Sequence, residues 1–197
     1  MNTIPTHWII AVGVLALAAI ALAAWLSSQR KKQSQRLQQR FGPEYDRAVT
    51  DLGGRAKAES VLKAREKRVE GLDIVALSPA DAERFSQAWI ALQGRFVDNP
   101  KATVVQADQL VRELMSKRGY PMGDFELRAA DISVDHPGVV ETYRAAQAVA
   151  VRNERGEADT EALRKAIVHY RALFDELLEV HEVPREIVAQ GQIPAHS

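Results

Sequence analysis

The longest apolar run of the chain lies near its N-terminus. Trp8 to Leu26, WIIAVGVLALAAIALAAWL, holds no charged side chain over 19 residues. At the helical rise of about 1.5 Å per residue, such a run would be roughly 28 Å long, which is close to the hydrocarbon thickness of a bilayer. The pattern predicts a transmembrane helix over residues 8–26, preceded by a short extracytoplasmic tail of residues 1–7.

A basic segment follows the apolar run at once. No acid lies before Arg40, and the cations fall after the run rather than before it. The positive-inside rule therefore predicts the N-terminus outside and the remaining chain in the cytoplasm, with export to the periplasm, cleaved or uncleaved, as the alternative. Residues 27–42 are expected to continue the helix as a basic stalk, which could also bind anionic lipid. The predicted membrane-interface residues are Trp8, Trp25, Arg30, Lys31, Lys32, Arg36 and Arg40.

Beyond Gly42 and Pro43 the apolar positions follow a helical period, which predicts a helical bundle over residues 43–180 and a flexible tail over residues 181–197. Ser78-Pro79 and Asn99-Pro100 are typical helix starts, because Ser and Asn cap free backbone N–H groups and Pro suits the first turn. A further helix should begin at Asp159 or Thr160. The stripes of two helices predict a core of Phe85, Trp89, Leu92, Phe96, Ile167, Tyr170, Phe174 and Leu177. The fold class is therefore all-α, a single N-terminal transmembrane helix followed by a helical bundle domain.

The aromatic stripe of Phe85, Trp89 and Phe96 has two interpretations. Its spacing favours core packing over a platform for a planar ligand. The charged segment Arg55–Glu70 also has two interpretations. It lacks a sustained apolar heptad, which favours a solvated helix against the bundle over a coiled-coil or partner-binding helix.

Charge and composition exclude several classes of function. The chain has 26 basic and 26 acidic residues, of which five basic ones lie in the stalk, so residues 41–197 carry about −5. Nucleic acid is therefore not an expected partner of this part. The chain has no cysteine, which excludes disulfides, thiol catalysis and cysteine zinc sites. A phosphate-binding glycine loop, an HExxH pair and a GxSxG elbow are also absent from the sequence.

The densest irregular stretch is residues 119–137, GYPMGDFELRAADISVDHP, which is expected to contain about two helical turns near Asp124 to Ala130. Its acids and one imidazole could bind a divalent cation or carry out acid–base chemistry, with Tyr120 or Tyr143 nearby. The alternative is structural, since Asp124 and Asp135 stand where helix starts would want a cap. The candidate catalytic residues are Asp124, Asp131, Asp135 and His136, and the pattern favours capping over catalysis. No metal site or cofactor is predicted.

Four strings, RFGPEYDRAV, RFVDNP, RGYPMGDFELRAADISVDHP and HYRALFDELLE, resemble an uncharacterised bacterial family of small helical proteins described as membrane-anchored or secreted. The resemblance covers Arg40 to Glu179. It implies a bacterial inner-membrane setting, and no activity, cofactor or catalytic residue comes with it. A secreted location conflicts with the cations that follow the apolar run.

The sequence favours a non-enzymatic function, a membrane-tethered interaction or scaffold module with a protein partner, held to lipid by its anchor. A ligand-binding protein, metal-binding protein or enzyme using residues 119–137 is the first alternative. A sensor of anionic lipid acting through the basic stalk is the second.

Overall fold

The secondary structure of the described residues is entirely α-helical, which confirms the all-α part of the predicted fold. The computed structural model describes residues 6–178, with side chains from Leu15 onward apart from residues 16 and 18. The predictions for residues 1–5, for the Trp8 side chain and for residues 181–197 lie outside this range. The helices are α1 (Thr6–Phe41), α2 (Pro43–Asp51), α3 (Arg55–Val69), α4 (Pro79–Arg95), α5 (Pro100–Lys117), α6 (Phe125–Asp135), α7 (Val140–Glu154) and α8 (Thr160–Leu178).

The predicted transmembrane helix over residues 8–26 is wrong. Helix α1 is 36 residues long, but within the described part of the chain no helix is both long enough and apolar enough to cross a membrane. The single-pass topology and the inner-membrane location were inferred from that helix and lose their support with it.

Contacts divide the chain into two compact units, one up to Ala64 and one from Arg65. In the first unit, α1 continues through the basic segment and packs against α2. Gly42 joins the two helices at a φ of 50°, a left-handed conformation that glycine adopts without a steric penalty. The sequence predicted one helical domain over residues 43–180, whereas the contacts group α2 and the first part of α3 with α1. The buried apolar residues of this unit are Leu37, Phe41, Tyr45, Ala48, Ala58 and Leu62.

The second unit is a bundle whose helix starts are set by local polar side chains. The Ser78 hydroxyl accepts a hydrogen bond from the Asp81 backbone N–H at 3.1 Å, and Asn99 accepts one from Ala102 at 3.1 Å. Asp159 accepts one from Ala162 at 2.7 Å in the first turn of α8. These bonds satisfy backbone donors that have no partner inside the helix. The three predicted helix starts are confirmed.

The core of this bundle is built around α8, which packs against α5 and α7, while α4 packs against α5. The Trp89 and Phe174 rings stack with centroids 4.7 Å apart, and Tyr143 meets Tyr170 edge-on at 6.3 Å. Seven of the eight residues that the sequence assigned to the core are buried, and Phe96, at the end of α4, is half-buried. The bundle is therefore centred on aromatic rings from α4, α7 and α8.

Gly119 stands where the chain leaves α5, with a φ of 95°. A Cβ atom at this position would lie 2.2 Å from the Asp73 carbonyl oxygen, which belongs to backbone and cannot rotate away. Gly119→Ala should therefore destabilise the bundle by at least about 2 kcal/mol. Urea unfolding followed by circular dichroism measures this change. Gly138→Ala is the matched control, because a Cβ atom added at Gly138 would meet no heavy atom within 4 Å, and equal losses for the two variants would contradict the steric explanation.

Candidate functional site around helix α6

The stretch that the sequence marked as an irregular functional loop contains a buried helix. Helix α6 spans 11 residues, and seven consecutive residues from Arg128 to Val134 are buried. The turns expected to end near Ala130 therefore continue to Asp135, and α7 begins only at Val140. Consequently Asp135 lies in the last turn of α6 and not at a helix start, so its expected capping role is wrong.

Asp124 does act as a cap. Its Oδ1 accepts a hydrogen bond from the Leu127 backbone N–H at 2.8 Å, and the residue is the N-cap of α6. The carboxylate also faces the positive end of the helix dipole. From Asp124 to Asp135 the helix rises about 16 Å, so Asp124 cannot share a small ligand with the residues at the other end of α6.

Asp131 is the most buried carboxylate of the candidate set, at 1% exposure. Its Oδ1 accepts two hydrogen bonds from Arg68, one from Nε at 2.7 Å and one from Nη2. Its Oδ2 is buried and has no hydrogen-bond partner among the described residues. Because an isolated buried charge is costly, the guanidinium of Arg68 is what allows a carboxylate at this position.

Asp135 lies one turn after Asp131 and therefore on the same face of α6. Its Oδ2 accepts a hydrogen bond from the hydroxyl of Tyr120 at 3.1 Å. Burial raises the pKa of Tyr120, and the charge of Asp135 adds to that effect. Tyr120 is therefore a hydrogen-bond donor at neutral pH and not a base, and it joins the loop before α6 to the end of that helix.

His136 forms a separate pair with the last helix. Its Nδ1 lies 3.2 Å from Oε1 of Glu176 on α8, and its backbone N–H donates to the Ile132 carbonyl at 2.8 Å. The residue thus closes α6, and α7 begins only at Val140. Among the residues that the structure describes, no group of three His, Cys, Asp or Glu side chains could hold a metal ion.

Two buried arginines, Arg118 and Arg128, were not predicted from the sequence. Arg118 donates from Nη1 to the Leu177 carbonyl at 2.9 Å and from Nε to the Val75 carbonyl at 3.3 Å. Arg128 donates to the Gly123 carbonyl and lies 3.5 Å from the hydroxyl of Tyr143. Burial raises the pKa of Tyr143, so it too stays neutral. The Leu177 carbonyl, in the last turn of α8, is a natural acceptor for a cation, but no spacing in the sequence indicates which carbonyl each arginine would reach.

The structure thus brings together Tyr120, Asp131 and Asp135, leaves Asp124 at the far end of α6, and pairs His136 with Glu176 instead. Each of these polar side chains already forms a hydrogen bond or an ion pair with another residue of the chain. The arrangement fixes α6 and its flanking loops, and around this helix the described residues form no catalytic constellation of nucleophile, base and orienting group.

Comparisons with known proteins do not assign a function to the residues around α6. No family model, curated protein or solved structure matches the chain.

Proposed function

We propose that the chain is a helical interaction module and that its bundle binds an amphipathic helix of a partner protein. The observation that supports this proposal is a surface groove between α4 and α5, with a volume of about 270 Å³. The groove is lined by Ala88, Ala91, Leu92 and Arg95 from α4 and by Gln106, Gln109, Leu110 and Glu113 from α5.

The shape of the groove suits a helix. Helices α4 and α5 run antiparallel. At the start of α4, Oδ2 of Asp81 lies 3.1 Å from Nζ of Lys117 at the end of α5. At the end of α4, Nη1 of Arg95 donates a hydrogen bond to Oε1 of Gln106 at 3.3 Å. Ala88 and Ala91 are exposed alanines one turn apart, and small side chains allow another backbone to approach closely. Leu92 from α4 and Leu110 from α5 are the larger apolar side chains that line the groove.

The charges of the groove define an orientation for the partner. Arg95 lies at the end of α4, and Glu113 lies towards the end of α5, which is the opposite end of an antiparallel pair. A partner helix that carries an acid near Arg95 and a base near Glu113 would be complementary to both. Complementary charges of this kind set register more than affinity, so the apolar contact near Ala91 should contribute most of the binding energy.

Photocrosslinking tests this proposal. A photoreactive residue is placed at Ala91, and a control is placed at Arg155, an exposed residue between α7 and α8. The protein captured at Ala91 is then purified, and its affinity is measured for Ala91→Glu and for the control Arg155→Glu. We expect Ala91→Glu to weaken binding at least about tenfold and the control to change it little. Equal capture at both positions, or unchanged affinity for Ala91→Glu, would overturn the proposal.

A further inference from the structure

The first unit contains a second surface feature, a groove between the basic segment of α1 and helix α3. It has a volume of about 730 Å³ and is lined by Arg30, Gln33 and Ser34 from α1 and by Arg55, Ala56, Glu59, Ser60 and Lys63 from α3. An adjoining depression of about 480 Å³ shares Arg30, Ser34 and Arg55 and is bordered by Lys31 and Tyr45. The two depressions share lining residues, and we name them together the basic groove.

The basic groove carries unpaired positive charge. Arg30, Lys31, Arg55 and Lys63 line it, and within the described residues none of their four side chains forms a hydrogen bond or an ion pair. Of the described carboxylates, Glu59 alone lines either depression. Four cations and one carboxylate leave a formal charge of about +3. By comparison, Nε of Arg47 lies 3.4 Å from a carboxylate oxygen of Asp51, and Nε of Arg171 lies 2.6 Å from one of Asp175.

Glu59 is held in the wall of the groove by two hydroxyl groups. Its Oε1 accepts hydrogen bonds from the Ser34 hydroxyl at 2.5 Å and from the Tyr45 hydroxyl at 2.9 Å. Burial raises the pKa of Tyr45, and the bond to Glu59 raises it further, so the phenol remains a donor. These two bonds connect α1, α2 and α3, so the cations are presented by helices that are fixed to one another, which lowers the cost of ordering them around a ligand.

We infer that the basic groove binds a phosphate-bearing anion. The two adjoining depressions together present two guanidinium groups and two ammonium groups, whose charge is complementary to phosphate oxygens, and guanidinium groups can bind such oxygens in pairs. The phosphate could belong to a free phosphorylated molecule or to the headgroup of an anionic lipid. This inference concerns a different unit from the α4–α5 groove, and it goes beyond the proposed interaction function.

The experiment uses the full chain and two probes. Inorganic pyrophosphate binding is measured by isothermal titration calorimetry, and vesicle binding is measured with phosphatidylcholine alone and with added phosphatidylglycerol. Arg55→Gln/Lys63→Gln removes two charges from the basic groove. Lys57→Gln/Lys67→Gln removes two charges from exposed positions of the same helix that do not line it, so the net charge of the two variants is equal.

We expect the groove variant to weaken binding at least about tenfold and the control variant to change it less than about twofold. An effect on pyrophosphate supports a free phosphorylated ligand, and an effect confined to the phosphatidylglycerol vesicles supports a lipid headgroup. Equal losses for the two variants, or no binding of either probe at about 0.1 M salt, would overturn the inference. Ala91→Glu should bind the phosphate probe normally, so failure of the interaction proposal remains distinguishable from failure of this one.

Discussion

Replacing Arg68 by methionine should destabilise the bundle by about 3 kcal/mol, although the arginine is itself partly on the surface. The reason is Asp131, which is 1% exposed and whose Oδ1 receives both hydrogen bonds of the pair. Without Arg68 the carboxylate stays buried with no compensating charge. Asp131→Asn should cost less, about 1 kcal/mol, because the side chain of Arg68 is 38% exposed and water can solvate it once the partner is neutral. Urea unfolding of the full chain measures both changes.

The double variant Arg68→Met/Asp131→Leu tests the cause. If the loss comes from an uncompensated buried charge, removing the charge as well should recover most of it. Lys67→Met is the matched control, since Lys67 is exposed on the same helix one position earlier. A loss for Arg68→Met no larger than that for Lys67→Met would show that the ion pair contributes nothing to stability.

The helices that the sequence predicted well are those with one buried face and a local start signal. In α4 and α8 the apolar residues recur every three or four positions, and Ser78 and Asp159 cap the first turns. Both signals are local, because the residues that make them lie within a few positions of each other. Predictions of this kind need no knowledge of the rest of the fold.

Helix α6 was underestimated because its central residues are buried around the whole circumference of the helix. Seven consecutive residues up to Val134 are buried, and they include Arg128, Asp131 and Ser133. A helical segment with no solvent face shows no apolar stripe, and its polar residues suggest a loop. The bonds that make those residues tolerable come from distant parts of the chain. Arg68 and Asp131, for example, are 63 positions apart.

The transmembrane prediction failed for a different reason. It rested on the composition of residues 8–26 and on the cations after them; the helix does form there, but no helix among the described residues is both long enough and apolar enough to cross a membrane. The same cations had been assigned only to a membrane surface. Their grouping with Arg55 and Lys63 in the basic groove depends on how α3 packs in the first unit, which the charge pattern does not encode.

Trp89→Ala should cost the bundle about 3 to 5 kcal/mol, the largest effect expected for a core residue. Trp89 is fully buried, and its ring stacks on Phe174 at 4.7 Å with an interplanar angle of 29°. Both features oppose the idea that the aromatic stripe is a platform for a planar ligand, since the ring already has a protein partner and no exposed area.

Trp89→Phe should cost only about 1 kcal/mol. The indole Nε1 of Trp89 is buried without a hydrogen-bond partner among the described residues. Replacing the indole by a phenyl ring removes this unsatisfied donor, which offsets part of the lost packing. Thermal and urea unfolding compare the two variants, and a phenylalanine variant as unstable as the alanine variant would contradict this explanation.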